Sequence, residues 1–239
     1  MVVHFITYGD DNFKNSKKRL EQEAKNVGWF DSISVFGPED LDNEFKTKFK
    51  DVLKYSKGGG YWIWKPYIIK KKLNEIDNDD ILIYLDAGCS INPLGKDRFD
   101  EYIDMLSNRE EGVISFQMHH AENIWTNKKV FDYFNIDINS EVANSGQITG
   151  NTNMFKKNAN STKLVNLWYK CLNDDPLLFT DYYSNNQEAY FKAHRHDQSV
   201  FSLIRKIHTS ILLTDEGYFK NFYSEESLKY PFWTTRKKC

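Results

Sequence analysis

The sequence predicts an α/β fold, a mostly parallel central sheet packed with helices, and three observations carry that expectation. Ile81-Leu82-Ile83-Tyr84-Leu85 is an apolar run opened by acids and closed by Asp86-Ala87-Gly88, the pattern of a strand covered on both faces. The chain opens as strand, turn and helix: residues 2–8 are largely apolar, Gly9-Asp10-Asp11-Asn12 turns, and Leu20 and Ala24 are spaced as one helix face before about Val27. Further on, short apolar runs alternate with helically spaced stretches, as a sheet with crossover helices requires.

With 239 residues, one large domain over 1–239 is expected, since no linker, repeat or composition shift divides the chain. A net charge of −2 lacks the basic surplus of a general nucleic-acid binder. No apolar stretch is long enough to cross a bilayer and none reads as a secretory leader, which leaves only peripheral contact with a membrane open. Cys89, Cys171 and Cys239 are odd in number and far apart, so free thiols in a reducing, cytoplasmic setting are expected. Aromatic residues make up 15% of the chain, which serves core packing and also offers flat surfaces for bases and sugars.

Taken in order, the first strand and turn place Thr7, Tyr8 and Asn12 where nucleotide-binding α/β domains meet their ligand. The glycine-rich dinucleotide fingerprint and the phosphate loop are both missing, which weighs against NAD, FAD and classical ATPase functions. Residues 33–36 form a second strand ended by Gly37-Pro38, and Leu41, Phe45, Phe49 and Val52-Leu53 continue at helix spacing. In Lys57-Gly58-Gly59-Gly60-Tyr61-Trp62-Ile63-Trp64-Lys65-Pro66 the glycines imply a tight or mobile backbone, and Pro66 suits the first turn of a helix continued by Ile68, Ile69 and Leu73. Lys65 then stands at a helix start, unfavourable for a cation unless it serves an anion such as phosphate. The competing reading leaves Lys65 solvated, with Trp62 and Trp64 as core anchors. Asp86 emerges at the carboxyl-end rim, where open α/β sheets bind ligands, unless it merely caps a turn.

Residues 93–107 read as an amphipathic helix with Phe99, Ile103 and Leu106 inward, and 112–116 as a strand. Gln117-Met118-His119-His120-Ala121-Glu122 is expected as a polar loop; adjacent side chains point apart, so the His pair is a weak metal motif. Residues 145–157 lead through small polar residues into a strand, where Gly150 leaves room for a ligand and Asn151 and Asn153 can bond sugar hydroxyls. Leu164, Leu167, Trp168 and Cys171-Leu172 mark a helix broken by Pro176. His194-Arg195-His196-Asp197-Gln198 then opens a helix with Val200, Leu203, Ile204 and Ile207 on its apolar face. An acid at Asp197 is favoured by the helix dipole alone, but this density of functional groups exceeds what capping needs. Residues 208–213 read as a closing strand, and Arg236-Lys237-Lys238 as either a solvated tail or a cover over a diphosphate.

In order and spacing, Gly58-Gly59-Gly60-Tyr61-Trp62-Ile63-Trp64-Lys65-Pro66, Tyr84-Leu85-Asp86-Ala87-Gly88-Cys89 and His194-Arg195-His196-Asp197-Gln198-Ser199 resemble a family of small bacterial and large-DNA-virus glycosyltransferases of the GT-A fold. More distantly, the chain is similar to the retaining, glycogenin-like clan. The resemblance covers most of the chain. It implies that Asp86 matches the first acid of a strand-end Asp-x-Asp that holds Mn²⁺ and the diphosphate, that Asp197-Gln198 matches a pair below the sugar, and that Lys65 matches a basic residue on the donor. One departure matters: Gly88 stands where the second acid of that motif usually contacts the metal. Either Asp86 binds Mn²⁺ or Mg²⁺ with a further ligand such as Asp197 or His196, or Lys65 and the tail Arg236, Lys237 and Lys238 neutralise the leaving diphosphate.

The resemblance implies hexosyl transfer from a nucleotide-diphosphate sugar, a UDP-sugar first, to a hydroxyl of a glycan or lipid-linked acceptor, with retention favoured by the Asp-Gln pair. Thr7, Tyr8 and Asn12 would seat the nucleoside, Lys65, Asp86, Ala87 and Gly88 the diphosphate end, and Gly150, Asn151, Asn153, His194 and His196 the sugar and acceptor mouth. A lipid-linked acceptor would bring the protein to the inner face of a membrane. Two rival functions stay open: a nucleotide- or glycan-binding module without turnover, and a nucleotidyltransferase or nucleotide-sugar hydrolase of the same fold.

Overall fold

The computed structural model describes residues 1–238; Cys239 lies outside the described residues. The strands are β1 (Val3–Tyr8), β2 (Ser32–Phe36), β3 (Ile81–Leu85), β4 (Ser90–Ile91), β5 (Val113–Ala121), β6 (Gly146–Ile148), β7 (Thr152–Lys156), β8 (Ile211–Thr214) and β9 (Phe232–Trp233). Seven of them form the main sheet in the order β2-β1-β3-β7-β5-β6, with β8 also on β5. β1, β2, β3, β5 and β8 run in one sense and β6 and β7 run against them, so the sheet is mostly parallel, as expected.

Period-two alternation makes β3 the sheet's axis. Ile81, Ile83 and Leu85 join Phe5, Leu20, Phe99 and Met154 on one face, covered by helices Lys14–Val27 and Lys96–Asn108. Leu82 and Tyr84 point the other way, into a layer built with Ile68, Trp168 and Phe201 from helices Trp64–Glu75, Ala159–Asp174 and His196–Ile207. All five residues of β3 are buried, so Asp86, the first residue beyond it, is fixed at the rim by a strand that cannot shift register without exposing its apolar face.

Two expectations are corrected. Residues 117–121 are not a loop: β5 runs on to Ala121, pairs with β6 across a register shift, and carries His119 and His120 at its end. Their polarity reflects the half-exposed end of a strand rather than a turn. The closing strand begins at Ile211 rather than His208, because helix His196–Ile207 ends only at His208.

β4 pairs antiparallel with β9, matching Ser90 with Trp233 and Ile91 with Phe232. This two-stranded sheet draws the C-terminal segment across the turn that follows β3. Cys89 and Cys171 are buried free thiols. Among the described residues no helix is long and apolar enough to cross a membrane.

The triple glycine starts a rare local structure. Gly58, Gly59, Gly60, Tyr61 and Trp62 all have φ between 55° and 93°, one turn of left-handed helix. L-residues disfavour this by roughly 1–2 kcal/mol each, which is why glycine fills three of the five places. A Cβ on Gly60 would lie 2.8 Å from the Leu53 Cα. Gly60→Ala is therefore expected to destabilise the fold by about 2–4 kcal/mol, combining backbone strain with overpacking, and thermal melting would show it. An unchanged melting temperature would contradict the left-handed turn.

Candidate functional site

The turn delivers Trp62 and Ile63 to the start of helix Trp64–Glu75, and Lys65 follows in its first turn. The Lys65 side chain is 2% exposed and points to the β3 rim. Its Nζ lies 3.0 Å from Asp86 Oδ1 and 2.7 Å from Asp197 Oδ2, and donates to the Gly150 carbonyl at 3.0 Å. One ammonium thus joins the end of β3, the start of helix His196–Ile207 and the β6–β7 connection. Burial disfavours its charge, but Asp197 and Asp86 outweigh this and hold its pKa above the usual lysine value. Asp197 is pushed up to about 6, mainly by burial and further by Asp86, with Lys65 pulling the other way. The Tyr84 hydroxyl donates to Asp86 Oδ1 at 2.6 Å.

Strained residues flank both partners of this bridge. Trp62 (φ 58°) precedes Lys65 and His196 (φ 53°) precedes Asp197, and their rings stack at 5.3 Å with planes 20° apart. Left-handed backbone at non-glycine positions persists only where surroundings impose it, and it concentrates at functional sites. Here the stack fixes the two helix starts against each other.

A second buried network orients Gln198. Glu122 is fully buried; Lys206 Nζ lies 2.8 Å from its Oε2, and Thr126 and Ser202 hydroxyls also donate to it. Glu122 Oε1 accepts from Gln147 Nε2 at 2.8 Å, which turns Gln147 Oε1 outward to accept from Gln198 Nε2 at 2.6 Å. Gln198 Oε1 in turn accepts the Gly150 N–H at 2.9 Å. A carboxylate can only accept, so it sets the direction of both amides in the relay.

The structure brings Lys65, Asp86, Gly150, Asp197 and Gln198 together, and Asn153 joins them by donating to the Gly150 carbonyl at 3.0 Å. The space beside Gly150, expected for a ligand, holds Gln198, whose Cβ would lie 2.8 Å from any added Cβ. Lys65, expected at a phosphate or in solvent, instead has its ammonium within 3.0 Å of three protein oxygens. Thr7 is fully buried and donates to the Leu85 carbonyl at 2.8 Å, and Tyr8 is stacked on Trp64 at 3.8 Å. Asn12 is exposed and donates to Asp10.

His194 and His196 depart from the acceptor mouth. His194 accepts from the Asn127 N–H through Nδ1 and bonds the Leu178 carbonyl through Nε2, and burial lowers its pKa to about 3. His196 bonds the Phe179 carbonyl at 3.0 Å, and burial lowers it to about 4. Both are neutral residues that hold the 178–181 segment.

Around Asp86 the turn is saturated with donors. Arg19 donates to the Ala87 and Cys89 carbonyls at 3.0 and 2.8 Å, while Thr235 Oγ1 and the Lys237 N–H both donate to the Gly88 carbonyl at 3.0 Å. Arg19 carried no sequence signal, since its contacts span about 70 positions. The tail is therefore folded over the turn, not frayed, with the Arg236, Lys237 and Lys238 side chains exposed above it.

The donor set fits a divalent cation only narrowly. Asp86 Oδ1 is taken by Tyr84 and Lys65, Asp197 is locked to Lys65, and His196 faces elsewhere, so neither proposed second ligand is free. Among the described residues no group of three metal-binding side chains forms. What remains is Asp86 Oδ2, suited to a cation whose other ligands are phosphate oxygens and water.

No family model matches the chain, and no curated protein is similar to it in sequence. Solved structures do match in shape. A glycosyltransferase involved in glycosylation of the major capsid of PBCV-1 superposes over 98% of this chain and 93% of its own, with a TM-score of 0.54 at 11% identity. Mouse xyloside xylosyltransferase 1 covers 98% of both chains (TM-score 0.49, 10% identity), and the galactosyltransferase LgtC covers 95% of this chain and 83% of its own (0.45, 7%). At such identities these likenesses speak for the fold alone, and the first of them carries it: the chain has the GT-A fold.

Proposed function

We propose that the protein is a glycosyltransferase that moves a hexose from a nucleotide-diphosphate sugar, UDP-linked, to a hydroxyl of a glycan or lipid-linked acceptor, with retention of configuration. The observation that carries this reading is the Lys65 ammonium bridging Asp86 and Asp197 at the carboxyl-end rim of a GT-A sheet. Breaking a glycosyl–diphosphate bond builds negative charge on the leaving oxygen and positive charge at the anomeric carbon. Fixed carboxylates beside the sugar and an exposed basic tail beside the diphosphate meet both needs. Asp86 Oδ2 would hold Mn²⁺ or Mg²⁺ brought in with the donor, and the cation would supply charge neutralisation at the diphosphate. Asp197 orients the sugar, while Gln198 Oε1, held by the Gly150 N–H, keeps a second lone pair for the developing cation.

A thermal-shift panel of nucleotide sugars, with and without Mn²⁺, tests the reading: UDP-sugars should stabilise the protein, and no shift with any nucleotide sugar would contradict it. Proton NMR of the product tests stereochemistry; an inverted product would remove Gln198's role and make Asp197 the base for the acceptor hydroxyl. Gly88 in place of a second acid favours one rival, a binding module that UDP protects from melting without any transfer.

Asp86→Asn should reduce transfer by at least about 10²-fold while leaving melting nearly unchanged, because its side chain is 34% exposed and the amide keeps its shape. Full activity in this variant would remove Asp86 from the mechanism. Transfer by the wild type should decline below about pH 6 as Asp197 takes up a proton. Because Asp86 raises the Asp197 pKa, the residual activity of Asp86→Asn should show that limb moved to lower pH. A limb that stays in place would assign it to another group.

A further inference from the structure

Arg195 immediately precedes the helix that carries Asp197, and its guanidinium lies 4.0 Å over the Trp125 ring, beside the Met118 thioether. It is half-buried and makes no salt bridge among the described residues. Glu122, the acid whose field reaches it, is already paired with Lys206. Burial and the nearby Arg236 both disfavour its charge. Lys192, exposed and likewise without a salt bridge among the described residues, sits 5.8 Å from the same ring. The 192–195 segment is pinned there, with the Lys192 N–H on the Ile124 carbonyl at 2.9 Å and the Arg195 N–H on the Trp125 carbonyl at 3.1 Å. His120, 6.0 Å from Trp125, is held below the usual histidine pKa by burial and by the charges of His119, Arg195 and Lys192.

A half-buried guanidinium with no carboxylate in contact is costly unless an anion joins it, and exposed Lys192 on the same ring adds to the positive field there. Their place in the sheet says which anion. Trp125 follows the end of β5, which lies beyond β7, two strands along the sheet from β3 and Asp86. In the glycosyl-transfer reading the nucleotide end of the donor would lie on the opposite, β1 side of Asp86, beside exposed Asn12. We infer that the acceptor bears a negatively charged group, a phosphate or a carboxylate, and that Arg195 and Lys192 receive it on the Trp125 side of the cleft. This inference rests on the glycosyl-transfer reading. Arg195 provides a planar fork for two oxygens, and Lys192 adds a mobile charge at the entrance.

The test measures binding of glucose, glucose 6-phosphate and glucuronic acid to the UDP-loaded protein by calorimetry. Both anionic sugars should bind at least about tenfold more tightly than glucose, the size expected for one charge-assisted contact, and the advantage should shrink in 0.5 M salt (on the order of a threefold shorter screening length than at 0.05 M). An advantage for glucose 6-phosphate alone identifies the group as phosphate, and one for glucuronic acid alone as carboxylate. Arg195→Ala, and Lys192→Glu at the exposed position, should abolish the advantage while UDP still raises the melting temperature as in wild type. Equal binding of all three sugars, or an advantage that survives both substitutions, overturns the inference. So does loss of UDP stabilisation in Arg195→Ala, which would assign the guanidinium to the donor. If UDP fails to stabilise the wild type, the glycosyl-transfer reading fails first and takes this inference with it.

Discussion

Lys65→Met is expected to lower transfer by roughly 10²–10³-fold and stability by about 3–5 kcal/mol. Methionine fills the lysine's space but leaves Asp197, 6% exposed, without its partner, while Asp86 at 34% can turn to water. For a chain of this length that loss corresponds to a fall of roughly 6–20 °C in melting temperature. The pH dependence identifies the cause. Asp197 already sits at about 6 in the folded protein, above its ordinary 3.8, and Lys65 is the influence that pulls it down. Without Lys65 the folded-state pKa climbs further, so the folded variant binds a proton that the unfolded chain does not. The loss should therefore be largest near pH 8 and shrink as pH falls through that raised pKa. A variant with wild-type melting and no pH-dependent penalty would show that the bridge does not exist.

Lys206→Met should be comparably damaging to stability, again about 3–5 kcal/mol, although Lys206 lies outside the rim cluster. It would strand Glu122, a fully buried carboxylate, with hydrogen bonds but without the ammonium in contact with it. Losing that contact leaves the Glu122 carboxylate less firmly held, which loosens Gln147 and, through it, Gln198. Transfer should fall about tenfold with UDP stabilisation unchanged, and the double variant Glu122→Gln with Lys206→Met should recover most of the lost stability. If the double variant is no more stable than the single one, the buried pair is not what holds the relay.

Much of this arrangement was legible from the sequence, for identifiable reasons. Asp86 could be placed because a fully apolar strand fixes where its carboxylate emerges, and the Lys65 and Asp197 helix starts could be read from Pro66 and from the Val200–Ile204 face. Which atoms those side chains would meet was not legible. Lys65 carries the same signal whether its ammonium faces a phosphate or two carboxylates; the choice is made by the depth at which helix Trp64–Glu75 packs on β3. The Glu122–Gln147–Gln198 relay was hidden because Glu122 stands beside a His pair that reads as a loop, whereas β5 runs on to Ala121 and turns Glu122 into the core. His194 and His196 attracted a functional reading through their density, yet their nitrogens hold main-chain groups. The cover over Gly88 depends on β4 pairing with β9 across about 140 residues, which no local pattern encodes.

The most direct measurement is a crystal structure of the protein with a non-transferable 2-fluoro UDP-sugar. The expected result is a hexose seated on the Asp86–Lys65–Asp197 bridge, its anomeric carbon facing Gln198, with the diphosphate against the exposed Arg236–Lys238 side chains. A donor bound elsewhere, or with its sugar turned away from Asp197 and Gln198, would contradict the proposed site.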